Sequence, residues 1–208
     1  MKGVESRPES IIFVKNQQIS KMKKTFFVTA LLLIVSMITH SQSALPGIDK
    51  SPLDVCYYPV NYPLLKMQGK ASDPLAARVI YSRPKKEGRT VFGGLVAYGK
   101  VWRLGANEAT EIELYKPATI GGKKVPVGRY TLYALVNEKT WTFILNKDND
   151  IWGAFKYEEA KDVVRTEVPV EQITDPVEYL SMTFNKTNDG ASLVVAWENT
   201  KASLPIIF

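Results

Sequence analysis

The stretch "GRYTLYALVNEKTWTFILN" (128–146) sets the fold class. It divides into "GRYTLYALV" (128–136) and "WTFILN" (141–146), two runs rich in aromatic and branched residues, joined by the polar "NEKT". Trp141, Phe143 and Leu145 occupy alternate positions, the spacing that puts side chains on one face of an extended strand. Two such runs around a short polar break predict an antiparallel hairpin. The row Leu193, Val195 and Trp197 has the same spacing, and both rows are assigned to the core.

The same reading extends in both directions. "AARVIYS" (76–82) is a first strand, and "ATEIELY" (109–115) alternates Thr110, Ile112 and Leu114 against Glu111, Glu113 and Tyr115. The first three are expected to face the core and the glutamates to face water. Gly121 and Gly122 form a tight turn between "ATI" and "KKV". "DVVRTEVPV" (162–170), "EYLSMTF" (178–184), "ASLVVAWEN" (191–199) and "LPIIF" (204–208) complete the strands, with one helical turn at 157–162. Successive strands without helical crossovers imply antiparallel pairing. The expected fold is all-β, a two-layer antiparallel β-sandwich of jelly-roll type over residues 76–208. Residues 42–75 carry Pro46, Pro52, Pro59, Pro63 and Pro74, and are read as an extended N-terminal arm that docks on the domain.

The N-terminus reads as a leader. From Met22, Lys23 and Lys24 precede a 13-residue apolar run, Phe26 to Ile38, and then small and polar residues. That is the layout of a secretory signal peptide at 22–41, with cleavage expected between Ser41 and Gln42. The run is short for a membrane span, which needs about 20 residues, so no stable membrane anchor is expected after cleavage. Residues 1–21 are read as a mis-assigned extension upstream of the true start. The expected location is outside the cytoplasm, periplasmic or extracellular.

Removing residues 1–41 changes the electrostatics. The chain has 27 basic and 21 acidic residues, net +6, of which six basic and two acidic lie in 1–41. The remainder is 21 against 19, or +2, which gives no reason to expect nucleic acid as a partner. The only histidine, His40, leaves with the leader. A Ser-His-Asp or Cys-His mechanism or a His-ligated zinc site is then out of reach. Cys56 is the only cysteine, so an intramolecular disulfide is impossible, and it is read as a half-buried small hydrophobe.

"VIYSRPKKEGRTVFGGLVAYGKVWRLGANEATEIEL" (79–114), "GGKKVPVGRYTLYALVNEKTWTFILNK" (121–147) and "WGAFKY" (152–157) together resemble the exported bacterial family called "domain of unknown function 2911". The resemblance covers the chain from about Ser51 to its C-terminus. It implies an exported β-sandwich and supplies no residue roles, so the functional reading rests on the residues.

Residues 81–108 are locally basic: Arg83, Lys85, Lys86, Arg89, Lys100 and Arg103 stand against Glu87 and Glu108. Tyr81, Phe92, Tyr98 and Trp102 are interleaved among them. Guanidinium groups hold carboxylates or phosphates at two points, and flat rings stack on sugars or cations. Counting back from Ala109 gives Glu108 the parity of the core-facing row, where a carboxylate needs a cation or donors. Arg103 and Asn107 are the nearest in sequence. Two readings stay open: a ligand-facing cluster, or an Arg–Glu latch that locks the domain. "NKDNDIWG" (146–153) begins like a calcium loop, with Asn146, Asp148 and Asp150 at ligand positions. Ile151 stands where the turn glycine belongs and Tyr157 where the bidentate glutamate belongs, so an ordinary polar turn is expected and no metal. Trp152 beyond it could stack on a ligand or pack in the core.

The expected function is a non-catalytic binding module for a small ligand, anionic or a glycan. The candidate ligand-binding residues are Tyr81, Arg83, Arg89, Trp102, Arg103, Asn107, Glu108 and Trp152. No cofactor is called for. The alternatives are a glycan-processing enzyme that relies on carboxylates, with Glu108 as one acid, and an accessory envelope protein whose arm docks a partner.

Overall fold

The structure is a computed structural model that describes residues 45–208 and, before them, only Gln18, Lys21 and Met22. Apart from those three positions, the extension at 1–21, the leader at 22–41 and its cleavage point lie outside the described residues. All the strands belong to the unit Ile48–Phe208. They are β1 (Leu53–Tyr58), β2 (Ala77–Ser82), β3 (Val101–Trp102), β4 (Glu111–Leu114), β5 (Ala118–Ile120), β6 (Lys123–Val125), β7 (Gly128–Val136), β8 (Thr140–Asn146), β9 (Asp162–Lys186) and β10 (Gly190–Ile207). A six-residue helix, α1 (Tyr62–Met67), and a 3₁₀ turn, Glu159–Lys161, are the other regular elements of this unit.

The fold is all-β and antiparallel, but its strands form one open sheet instead of two separate ones. The order is β1-β2-β4-β7-β8-β9-β10-β5-β6, with β3 paired to β7. The two halves are joined because β9 pairs with β8 along its first part and with β10 along its second. The sheet curls far enough for distant strands to touch. Trp102 on β3 stacks on Trp197 of β10 at 6.1 Å, and the Tyr81 hydroxyl on β2 accepts the Met182 N–H of β9 at 3.0 Å.

The hairpin at 128–146 forms as read, with Val136 opposite Trp141. The reason is visible in burial: Leu132, Ala134, Val136, Trp141, Phe143 and Leu145 all sit in the main core. The opposite face is covered too, since Tyr133 and Ile144 pack under Ile151, Ala154 and Tyr157. Gly121 and Gly122 both take positive φ, 56° and 76°, and close the β5–β6 hairpin between Ile120 and Lys123. That is the turn chemistry a two-residue hairpin requires.

Three elements differ from the sequence reading. The 42–75 stretch holds β1, fully paired with β2, because "LDVCYY" is free of proline between Pro52 and Pro59 and can donate every N–H. The strands read separately at 162–170 and 178–184 are one strand, β9, and β10 runs on through the expected break to Ile207. The turn-like residues there are absorbed by bulges. Between the pairs Ala196–Ser181 and Glu198–Val177, β9 spends three residues against one on β10; between Glu198–Val177 and Thr200–Gln172 it spends four against one. Glu198 takes a left-handed φ of 55° at this point. A bulge adds twist and turns side chains aside, and these two lie next to the candidate site.

Candidate functional site

The basic loop after β2 is fixed by the bulged part of β9. The Leu180 N–H donates to Pro84 O at 3.0 Å, and the Lys86 N–H donates to Glu178 O at 2.8 Å. The Glu87 N–H donates to the Glu178 carboxylate at 3.0 Å. Further along, residues 90–96 curl into a tight turn in which Leu95 N–H reaches Thr90 O and Val96 N–H reaches Val91 O. Val91, Phe92 and Val96 point into the core while Leu95 stays out. Glu198, turned by the bulge, accepts the Val91 N–H at 3.3 Å and lies 3.4 Å from the Lys86 ammonium. The loop is thus held at both ends by β9 and β10.

β3 and the residue that follows it then carry the two side chains at the centre. Strand alternation puts Trp102 inward, opposite Ala134, and Arg103 outward. Leu104 takes a left-handed φ of 54° and dives into the core, which ends the strand and leaves Arg103 on the wall. Two adjoining cavities meet there. The larger, about 390 Å³, is lined by Lys50, Ser51, Lys85, Glu87, Arg89, Gly105 and Trp197 among others. The smaller, about 240 Å³, is lined by Ala97, Lys100, Val101, Ala154 and Phe155. Leu95, Val96, Trp102 and Arg103 line both.

Arg103 is unlike the other arginines of the loop. Its Nε is buried with no hydrogen-bond partner, and among the described residues its guanidinium makes no hydrogen bond or ion pair. Burial lowers its pKa, as expected for a cation taken out of water with no counter-charge. With Lys50, Lys85 and Arg89, four cations face the larger cavity against one carboxylate, Glu87. Such a setting is electrostatically suited to an anion, and a planar guanidinium suits a two-point acceptor.

The sequence-based candidates separate into three groups. Arg89, Trp102 and Arg103 come together at the cavities. Arg89 spends its Nε and one terminal nitrogen on Lys86 O and Lys85 O, at 2.9 and 2.6 Å, so it shapes the loop while facing the cavity. Trp102 is a core residue at the cavity floor. Its Nε1 donates to Gly105 O at 3.1 Å, one face stacks on Trp197, and Phe92 and Trp141 meet it edge-on. At 8% exposure it offers a sugar almost no ring face.

Tyr81 and Arg83 belong elsewhere. Tyr81 is buried, its hydroxyl tied to Met182, and burial with Asp54 nearby pushes its phenol up to about 12. Arg83 pins β1 to β9 through Asp54 at 3.0 Å, Leu180 O at 3.2 Å and Ser181 Oγ at 3.0 Å. Asn107, Glu108 and Trp152 form the third group. Asn107 has a left-handed φ of 57°, which breaks the parity count carried back from β4. Glu108 is therefore exposed, bridged through its backbone to Trp152, and makes no ion pair with Arg103. The Arg–Glu latch does not form. Trp152 is 61% exposed and lines neither cavity.

Glu111 and Glu113 face outward as read, yet they are paired: Glu113 lies 2.6 Å from Arg78 and Glu111 lies 3.4 Å from Arg129. In the calcium-like turn, Asp148 pairs with Lys161 at 2.9 Å and Asp150 with Arg129 at 2.7 Å. Among the described residues no group of three or more His, Cys, Asp or Glu is placed to hold a metal ion.

Several lining residues were missed. Lys85, Glu87 and Lys100 were counted in the local charge but not placed, and Trp197 was given to the core by its spacing. Lys50 and Ser51 lie in the arm, where no periodic signal operates. Phe155, 83% exposed, is part of a quoted motif, but a single phenylalanine in a loop carries no signal of its side.

A family model described as "Protein of unknown function (DUF2911)" matches residues 65–206. No curated protein and no solved structure matches the chain. With β2 through β9, the basic loop and all but the last residue of β10 inside the matched span, the chain belongs to the DUF2911 family.

Proposed function

We propose that this protein is a binding module for a small anion, held in the larger cavity with Arg103 as its principal contact. Read with the leader, it works outside the cytoplasm, in the periplasm or beyond. The observation that carries the reading is the half-buried guanidinium with no partner, on a wall shared with Lys50, Lys85 and Arg89. A cation left unpaired costs free energy in the empty protein, and an incoming carboxylate, sulfate or phosphate returns it. A glycan held by ring stacking has less support, because Trp102 is only 8% exposed and stacks one face on Trp197. The two-carboxylate reading finds only Glu87 in the lining of the larger cavity, while Glu108 lies outside it.

Trp102 and Trp197 line the cavity and serve as reporters. Titration with sulfate, phosphate and acetate at low ionic strength is expected to change the tryptophan fluorescence saturably. Arg103→Met should weaken that binding roughly ten- to hundredfold, the worth of one or two charge-assisted hydrogen bonds. A wild-type protein indifferent to all three anions, or a variant that binds as well as wild type, overturns the reading.

A further inference from the structure

We propose that the ligand is an organic acid with an apolar ring or alkyl body, lying across Arg103 with its acid group in the larger cavity and its body in the smaller one. The proposal rests on the anion reading above and names the class of anion. The two cavities share a wall but differ in the side chains around them. The smaller is walled by Leu95, Ala97, Val101, Ala154 and Phe155, with Lys100 and Arg103 as its charged side chains.

The size suits a ring or a short alkyl body. A cavity of about 150 Å³ lined by hydrocarbon holds benzene, and the smaller cavity here has about 240 Å³. Val101 and Ala154 also pack against the outer apolar cluster built on Tyr133 and Ile144, so this wall is the rim of an existing hydrophobic layer. Phe155 lines the smaller cavity and is 83% exposed. Its ring lies against Gly153, where an added Cβ would stand 2.5 Å from a ring carbon, so the glycine (φ 73°) is what allows the ring to lie there. A phenylalanine left this far in water gains by being covered. An inorganic anion would use only the larger cavity and leave Phe155, Leu95 and Val101 as they are.

The test uses 3-phenylpropionate, acetate and 3-phenylpropanol, followed by calorimetry and by tryptophan fluorescence. The aryl acid is expected to bind at least about tenfold more tightly than acetate or the alcohol, from the buried ring on one side and the charge on the other. Ala97→Trp, which fills the smaller cavity from an exposed position, should bring the aryl acid down to the level of acetate without changing acetate itself. Phe155→Ala should remove part of the preference, and it settles the matter if the bulkier variant fails to fold. Arg103→Met should weaken both acids by roughly ten- to hundredfold. Equal binding of acetate and phenylpropionate, or a preference that survives both cavity variants, overturns this proposal while the anion reading stands. An alcohol that binds as tightly as the acid also overturns it. Failure of sulfate, phosphate, acetate and phenylpropionate alike removes the anion reading and this inference together.

Discussion

Among single residues, Arg103 makes the sharpest prediction, because a site residue and a structural residue should behave oppositely there. Its Nε is buried and unsatisfied, and none of its nitrogens is spent on another part of the described protein. Arg103→Met keeps most of the side chain's packing and removes an unpaired donor, worth about 1 kcal/mol once the solvent on its open side is allowed for. Urea denaturation of the empty protein should therefore show unchanged or slightly higher stability alongside lost anion binding. A marked drop in stability would return Arg103 to a structural role. Cys56 gives a second expectation. Burial, with Asp54 close by, pushes its thiol from 9.0 up to about 12. The thiolate is then about a thousandfold scarcer than in an ordinary cysteine. Iodoacetamide at pH 8, followed by mass spectrometry, should label the folded protein very slowly and the urea-unfolded chain readily.

Among the strands, the β9–β10 pair governs most. Gly190 opens β10 where the chain end comes back over it, and a Cβ there would collide with Ile206 O and crowd Phe208 N at 3.0 Å. Both are backbone atoms that cannot swing aside. Gly190→Ala is expected to cost about 2 kcal/mol or more in urea unfolding, whereas Gly122, which has open space around it, is limited only by its φ. The β7–β8 hairpin was legible in the sequence because period two and a polar break are local facts. The continuity of β9 was not. The sequence reading leaves a gap between 170 and 178, and only pairing with β10 turns the surplus residues there into bulges. Those bulges bring residues 178–180 to the basic loop, so the element that sequence reading divided is the one that positions the cavity wall. Counting parity across Asn107 failed for a related reason, since alternation holds only while the backbone stays extended.

Across the whole domain, one curled sheet wraps an aromatic centre of Phe92, Trp102, Trp141 and Trp197, with ring centroids 5.0–6.4 Å apart. Tyr81 ties β2 across that curl to β9 by holding a neutral hydroxyl against Met182. Its phenol is raised from 10.0 to about 12, so between those values the folded protein keeps a proton that the unfolded chain has lost. Stability is fully present below pH 10 and falls as pH rises through about 12, and Cys56 moves the onset toward pH 9 by the same logic. Chemical denaturation across pH 8–12 should show this decline. Tyr81→Phe should be less stable at pH 8, having lost the Met182 bond, and should decline less steeply above pH 10; an unchanged slope would contradict this role for Tyr81. The order of amino acids was enough to give most of the strands, their antiparallel character, the core rows and the local surplus of positive charge, because periodicity and composition act between neighbours along the chain. Folding in three dimensions was needed to settle that Arg83 is spent on Asp54, that Glu108 turns to solvent, and that Arg103 stands unpaired between two cavities. Which charges find partners depends on segments nearly a hundred residues apart in the chain, and no local pattern records that distance.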